Sequence, residues 1–269
     1  MITMYAGRAF IPYKIQLMEL HLMHRNKILW ICYQPYKWLI LFPYMLFSNL
    51  FFGFWAVAMA FLFNQRLGSM IVGKCWARSI SFLTPISVKV FGREHLKPGQ
   101  SYVIVSNHQS LFDILILYGW LDIDFKWVMK KELRKLPGLG IACEKLGHIF
   151  VDRSNRHQAI SALNNSRHRI REGTSIVFFP EGTRSTEIHL RPFKKGAFHM
   201  ALSLGLPILP VTIRGTREIH PTKSFDTYPG KASLTFHPQI ETSEYQGQIE
   251  SLIQEARNRI ASILPEKEK

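Results

Sequence analysis

Tyr102-Val103-Ile104-Val105-Ser106-Asn107-His108-Gln109-Ser110-Leu111-Phe112-Asp113, continued by Ile114-Leu115-Ile116-Leu117, reads as an apolar strand, a polar turn and an apolar helix. His108 and Asp113 stand five residues apart in it. On one helix that spacing leaves two side chains roughly 140° apart, and on one strand it puts them on opposite faces. They meet only if the chain turns between them. Ser110-x-x-Asp113 is a capping-box pattern that starts a helix at Ser110 and leaves His108 ahead of it. A histidine so placed can take a proton from an alcohol near neutral pH, while the carboxylate holds its tautomer and stabilises the cation.

Outward from this unit, strand-like runs fall at 86–91, 102–106, 125–129, 148–151, 175–179, 208–213 and 232–236. Helical stretches at 111–120, 133–146, 156–172 and 194–204 lie between most of them. A last amphipathic helix, 248–264, gathers Ile249, Leu252, Ile253, Ala256, Ile260 and Ile263 on one face. Strands alternating with helices predict an α/β domain: a mixed, mostly parallel sheet flanked by helices. The runs at 175–179 and 208–213 lack polar alternation, as central strands do. Gly173 and Gly205 mark helix stops.

Ahead of this domain the character changes. Trp38 to Gln65 is 28 residues without a charge. As one helix it would be about 42 Å long, enough to cross a hydrocarbon core. Pro43, Ser48-Asn49 and Gly53 are expected to interrupt it, so either a single span or a broken hairpin embedded in one leaflet fits. Residues 70–83 read as an interfacial helix. The division expected is 1–84, a basic apolar membrane-anchoring region, and 85–269, the α/β domain. Residues 1–93 carry ten Lys/Arg against Glu19 alone, a charge of +9 out of a total of +15. A cationic excess beside the most apolar segment favours an anionic membrane surface, and no nucleic-acid motif occurs. Cys32, Cys75 and Cys143 show no CxxC or Cys/His ligand spacing, so neither a disulfide framework nor a metal site is indicated.

A second chemistry-bearing stretch, Phe179-Pro180-Glu181-Gly182-Thr183-Arg184-Ser185, follows the apolar run at 175–179. Its glycine permits close backbone approach to a ligand, and its guanidinium suits a phosphate. With Asn107–Asp113 it is similar to the phospholipid-synthesis acyltransferases related to bacterial 1-acylglycerol-3-phosphate acyltransferase. That family shows four ordered blocks. The first, His-x4-Asp, resembles His108 to Asp113, and the second resembles Gly147-His148-Ile149-Phe150-Val151-Asp152-Arg153. The third looks like the Glu-Gly-Thr-Arg stretch, and the fourth like Leu206-Pro207-Ile208-Leu209-Pro210-Val211. The likeness covers roughly residues 85 to 240.

The resemblance implies His108 as general base oriented by Asp113, and Arg153 and Arg184 as phosphate ligands. Glu181, Gly182 and Thr183 would line the same pocket. It implies transfer of a fatty acyl group from an acyl-thioester, acyl-ACP or acyl-CoA, to the sn-2 hydroxyl of 1-acylglycerol 3-phosphate, giving phosphatidate. Another lysophospholipid, glycerol 3-phosphate or a lyso-aminolipid is the alternative acceptor. No cofactor or metal is implied beyond the donor; the partners are the two substrates, membrane lipid and acyl carrier protein. The location implied is the cytoplasmic face of a membrane, the inner membrane in a bacterium. No Gly-x-Ser-x-Gly elbow occurs, which favours direct transfer over an acyl-enzyme. Lys130 and Lys131 could add charge to the pocket. His148 and His199 are expected to be a packed or surface histidine.

Overall fold

The computed structural model describes residues 27–152, 154–170, 173–184 and 189–266. Seven strands form one sheet: β1 (Ile86–Phe91), β2 (Val103–Ser106), β3 (Phe125–Lys130), β4 (Ile149–Val151), β5 (Ser175–Phe178), β6 (Ile208–Arg214) and β7 (Gly230–Phe236). Their order is β1-β7-β6-β2-β5-β3-β4, and every pairing is parallel except β6 with β7. The mixed, mostly parallel sheet expected from the sequence is therefore present. β2 and β5 are buried at every residue, and β6 at all but its last, which is why their sequences show no alternation. β1, at the sheet edge, alternates half-buried with exposed residues.

Helices cover both faces. The anchor begins with α1 (Lys27–Tyr36), a π-helical turn (Lys37–Leu41) and α2 (Phe42–Leu62), and returns as α3 (Gly73–Leu83). The sheet-forming region carries α4 (Phe112–Trp120), α5 (Leu139–Lys145), α6 (Arg156–Asn165), α7 (Gly196–Leu204), α8 (Thr216–Ile219) and α9 (Ile249–Ser262). Phe198, Ala201, Leu252 and Ile260 from α7 and α9 pack on one side of the sheet with Val103, Ile176 and Ile208. Ala77, Ile80, Phe112 and Ile116 from α3 and α4 pack on the other with Ile104, Val177 and Leu209.

Three expectations need correction. The helix expected over 133–146 splits into a 3-10 turn (Lys131–Lys135) and α5, because Pro137 lacks an N–H and Gly138 takes a left-handed φ of 74°. The helix expected over 156–172 stops at Asn165, where Ser166 Oγ bonds back to the Leu163 carbonyl at 2.7 Å. The interruptions expected in the anchor do not break it. Pro43 directly follows the π-helical turn Lys37–Leu41 without ending the helix, and the side chains of Ser48 and Asn49 return to the Met45 carbonyl. Trp30–Leu62 is thus 33 residues of apolar helix, long enough to cross a membrane.

At Phe63–Asn64 the chain reverses, and Asn64 Oδ1 caps the next turn by accepting Leu67 N–H at 2.9 Å. Gly68 lets the two arms close: a Cβ there would lie 2.8 Å from the Ala56 carbonyl oxygen. The inner side of α2 packs along α3 and α5. Its outer side leaves Leu46, Phe47, Leu50, Phe54 and Phe61 exposed.

Candidate active site

Three central parallel strands, β2, β5 and β6, end side by side, and their loops carry the residues singled out above. Openings at the carboxyl ends of parallel strands are where α/β sheets bind ligands. Asn107, just past β2, donates its Nδ2 to the Ile213 carbonyl at 2.8 Å, and its Oδ1 accepts Ile213 N–H at 2.9 Å. The side chain thus copies one more rung of the ladder and ties the loop root to β6.

The chain then turns around a carboxylate. Asp113 Oδ2 accepts the main-chain N–H of Gln109 at 2.7 Å and of Ser110 at 2.9 Å. His108 Nδ1 lies 2.8 Å from the same oxygen. Asp113 is only 1% exposed, so this carboxylate is in effect the core of the turn. Because Asp113 accepts from Nδ1–H, Nε2 is left with its lone pair free to take a proton. The sequence-stated need for a bend between the pair is met. The capping pattern is partly realised: Asp113 accepts Ser110 N–H and Ser110 Oγ accepts Phe112 N–H at 3.2 Å while donating to the His220 carbonyl at 2.8 Å, although the helix, α4, begins at Phe112 with Leu111 as its cap. Gln109 and Ser110 N–H, natural candidates for an oxyanion hole near the helix start, are already spent on Asp113.

The histidine is held from above and behind. Its ring stacks on Phe179, centroids 3.8 Å apart at 9°, and Phe179 stacks on Trp127 at 5.6 Å. Its main-chain N–H donates to Glu181 Oε1 at 2.8 Å, and Glu181 Oε2 accepts Arg191 N–H at 3.2 Å. Both oxygens of Glu181 are therefore engaged with the backbone, so its described contacts are to the protein and not to an open pocket. Burial pushes its carboxyl up to about 7, against the pull of those two amides.

Gly182 has φ of 80°, a region that favours glycine, and a Cβ there would meet Lys194 Nζ at 2.6 Å. Lys194 is exposed and was missed by sequence reasoning; the only available signal was its place in Phe193-Lys194-Lys195-Gly196, just past the third block. Thr183 is exposed and Arg184 half-buried. Arg184 lies close enough to His220 for its charge to help lower that imidazole, after burial. His220 in turn meets the His108–Asp113 turn through its carbonyl and its ring, 5.3 Å from Phe112. Arg184 is thus on the side of the sheet that carries this turn. Arg153 lies outside the described residues. Its neighbour Asp152 pairs with Lys131, and Lys130 pairs with Glu132 at 3.4 Å, so neither lysine is uncommitted.

Thr216 is a second residue that no motif flagged. It is fully buried at the start of α8 and donates its hydroxyl to Asp113 Oδ1. His148 is packed: Trp127 N–H donates to its Nδ1 at 3.2 Å and its Nε2 lies 2.6 Å from Tyr118 Oη. Burial, aided by Lys126, lowers it to about 3, so it stays neutral. His199 is exposed. Among the described residues no cluster of His, Cys, Asp and Glu has the makings of a metal site.

Residues 87–214 match the family model described as Acyltransferase. A 1-acyl-sn-glycerol-3-phosphate acyltransferase of Chlamydomonas reinhardtii is 33% identical over 211 residues, 78% of this chain and 62% of the algal protein. This chain thus spans less than two thirds of that relative. The mouse 1-acyl-sn-glycerol-3-phosphate acyltransferase alpha is 31% identical over 219 residues, 80% of this chain and 76% of the mouse protein. Among solved structures, the 1-acyl-sn-glycerophosphate (LPA) acyltransferase PlsC of Thermotoga maritima superposes with a TM-score of 0.70 at 26% identity, covering 93% of this chain and 95% of that one.

Proposed function

This chain belongs to the acyltransferase family, and from that premise we propose that it transfers a fatty acyl group from an acyl-thioester to the sn-2 hydroxyl of 1-acylglycerol 3-phosphate, forming phosphatidate. The observation that carries this reading is the His108 Nδ1–Asp113 Oδ2 contact of 2.8 Å, just past the carboxyl end of β2 and beside β5 and β6. His108 Nε2 takes the proton of the acceptor hydroxyl as its oxygen attacks the thioester carbonyl. The tetrahedral adduct collapses, the C–S bond breaks, and the imidazolium returns its proton to the departing thiolate. Asp113 stabilises the imidazolium in between. General-base assistance of this kind contributes typically about 10²–10⁴-fold.

Arg184 and Lys194, with Arg153 from the second block, are assigned to the acceptor phosphate, since a planar guanidinium and a point charge are its usual partners. The left-handed Gly182 lets the Lys194 ammonium close on the main chain, where a Cβ would come within 2.6 Å of it. The anchor is assigned to one leaflet. A spanning α2 would drag α5 and its connecting loops into hydrocarbon, where irregular backbone finds no partners. The catalytic domain then rests on the cytoplasmic surface.

Replacing His108 by Ala tests the reading. Acyl transfer to lysophosphatidate should vanish while the protein still sediments with membranes; full activity would end the proposal. A panel of lysolipids on the same membranes ranks the acceptors, and the phosphate assignment requires lysophosphatidate to lead.

A further inference from the structure

Within the apolar helix Trp30–Leu62 one charged residue occurs, Lys37, and lipid does not surround it. It is 3% exposed, and its ammonium meets Asp226 Oδ1 at 3.0 Å. A buried ammonium is costly unless paired, so its position is dictated by this partner. Asp226 belongs to the strap of residues 215–228, and its carbonyl accepts His220 Nδ1–H at 2.9 Å. The strap crosses the catalytic turn and is bonded to it three times. Thr216 donates to Asp113 Oδ1, the His220 carbonyl accepts Ser110 Oγ–H at 2.8 Å, and Thr222 donates to the Gln109 carbonyl at 2.7 Å.

We propose that this strap positions the catalytic pair, with Thr216 completing the donor set of Asp113, and that the Lys37–Asp226 ion pair fastens the strap to the membrane anchor. The inference rests on the acyltransferase reading above. An ionised carboxylate offers about four lone-pair sites. Oδ2 serves His108, Gln109 and Ser110, and Oδ1 serves Thr216. Without the Thr216 hydroxyl, Oδ1 loses that donor, the carboxylate can swing, and the imidazole held on Oδ2 swings with it. Lys37 also opens the π-helical turn Lys37–Leu41. Such a turn inserts one residue and rotates the helix before it by roughly 100° relative to the helix after it. Lys37 can therefore face the strap while α2 keeps its apolar side outward. Thr216 and Lys37 are positioning residues, because neither needs to touch substrate.

The test uses the full chain in membranes, with kcat and KM for lysophosphatidate measured separately. Thr216→Val should lower kcat roughly tenfold to a hundredfold with KM nearly unchanged, since a hydrogen bond to a charged group is lost only at the carboxylate. Thr216→Ser, which restores the hydroxyl, should recover most of it. Lys37→Met and Asp226→Asn should each lower kcat, and the double variant should be no worse than the poorer single, because the two act as one unit. Wild-type kcat in Thr216→Val, equal loss in the Ser and Val variants, or additive losses at Lys37 and Asp226 would overturn the proposal. His108→Ala is measured alongside. If it stays active, the acyltransferase reading itself fails; if it is dead while Thr216→Val is undisturbed, only the strap is refuted.

Discussion

Glu181→Gln keeps the shape of the side chain and removes one acceptor. In the native protein the two carboxyl oxygens take two main-chain N–H groups, His108 at 2.8 Å and Arg191 at 3.2 Å, in a group only 4% exposed. A carboxamide has one oxygen, so its NH2 must face the other N–H. A buried donor left unsatisfied costs about 1–3 kcal/mol. Since about 1.4 kcal/mol is tenfold, displacement of the His108 main chain by that amount predicts a loss in kcat of roughly 5- to 150-fold. The burial that raises Glu181 to about 7 adds a pH signature. Above pH 7 the native side chain is a carboxylate and accepts both amides, so the ratio of wild-type to variant kcat should grow between about pH 6 and 8. Stability moves the other way. A carboxyl whose pKa rises on folding contributes stability that is fully present below its unfolded value and lost as pH climbs through about 7, so the wild-type advantage in Tm should narrow there. Initial rates by thiol release and melting curves in the same detergent read both. A Gln variant with wild-type kcat at pH 8 would refute the idea that this carboxylate holds the catalytic turn.

Other expectations follow from single sites. His148, held near 3 by burial, contributes stability above its unfolded pKa of about 6.5 that is lost as pH falls toward 3. The advantage of wild type over His148→Gln in urea unfolding should therefore be about 2–3 kcal/mol smaller at pH 4.5 than at 7. Gly68→Val puts a Cβ against the Ala56 carbonyl oxygen at 2.8 Å and should cost about 1–3 kcal/mol, seen as a lower Tm in detergent. Arg184→Ala and Lys194→Ala should each raise KM for lysophosphatidate about tenfold with kcat little changed. Equal KM changes for a phosphate-free monoacylglycerol would disconnect both residues from phosphate.

What the sequence disclosed follows its physical causes. β2, β5 and β6 were legible because strands buried on both faces are written as unbroken apolar runs. The bend between His108 and Asp113 was legible because neither helix nor strand can bring residues five apart together. Helix ends inside 133–146 and 156–172 were not, since propensity continues past the local breaks at Pro137–Gly138 and Ser166. Thr216 and Asp226 were invisible for a different reason. Their partners lie 103 and 189 residues away, and no periodicity or motif encodes a contact at that range. Glu181 was identified by position, but its partners were not legible: the block shows a carboxylate, and only the fold shows two amides facing it.

Exposed apolar side chains lie on both sides of Lys37 in the sequence, Trp30 and Ile31 before it and Trp38, Leu39 and Ile40 after it, and Lys37 is fastened to the strap that overlies the turn at His108. With the N-terminal helices in one leaflet, as proposed, the opening at His108 would lie by the polar border of the lipid tails, and an acceptor could slide in sideways with its tail still among its neighbours. For such a catalyst the relevant dose of lysolipid is its mole fraction in the bilayer. Diluting vesicles in buffer should leave turnover per bound molecule unchanged, whereas diluting the acceptor with inert phospholipid at constant bulk amount should slow it.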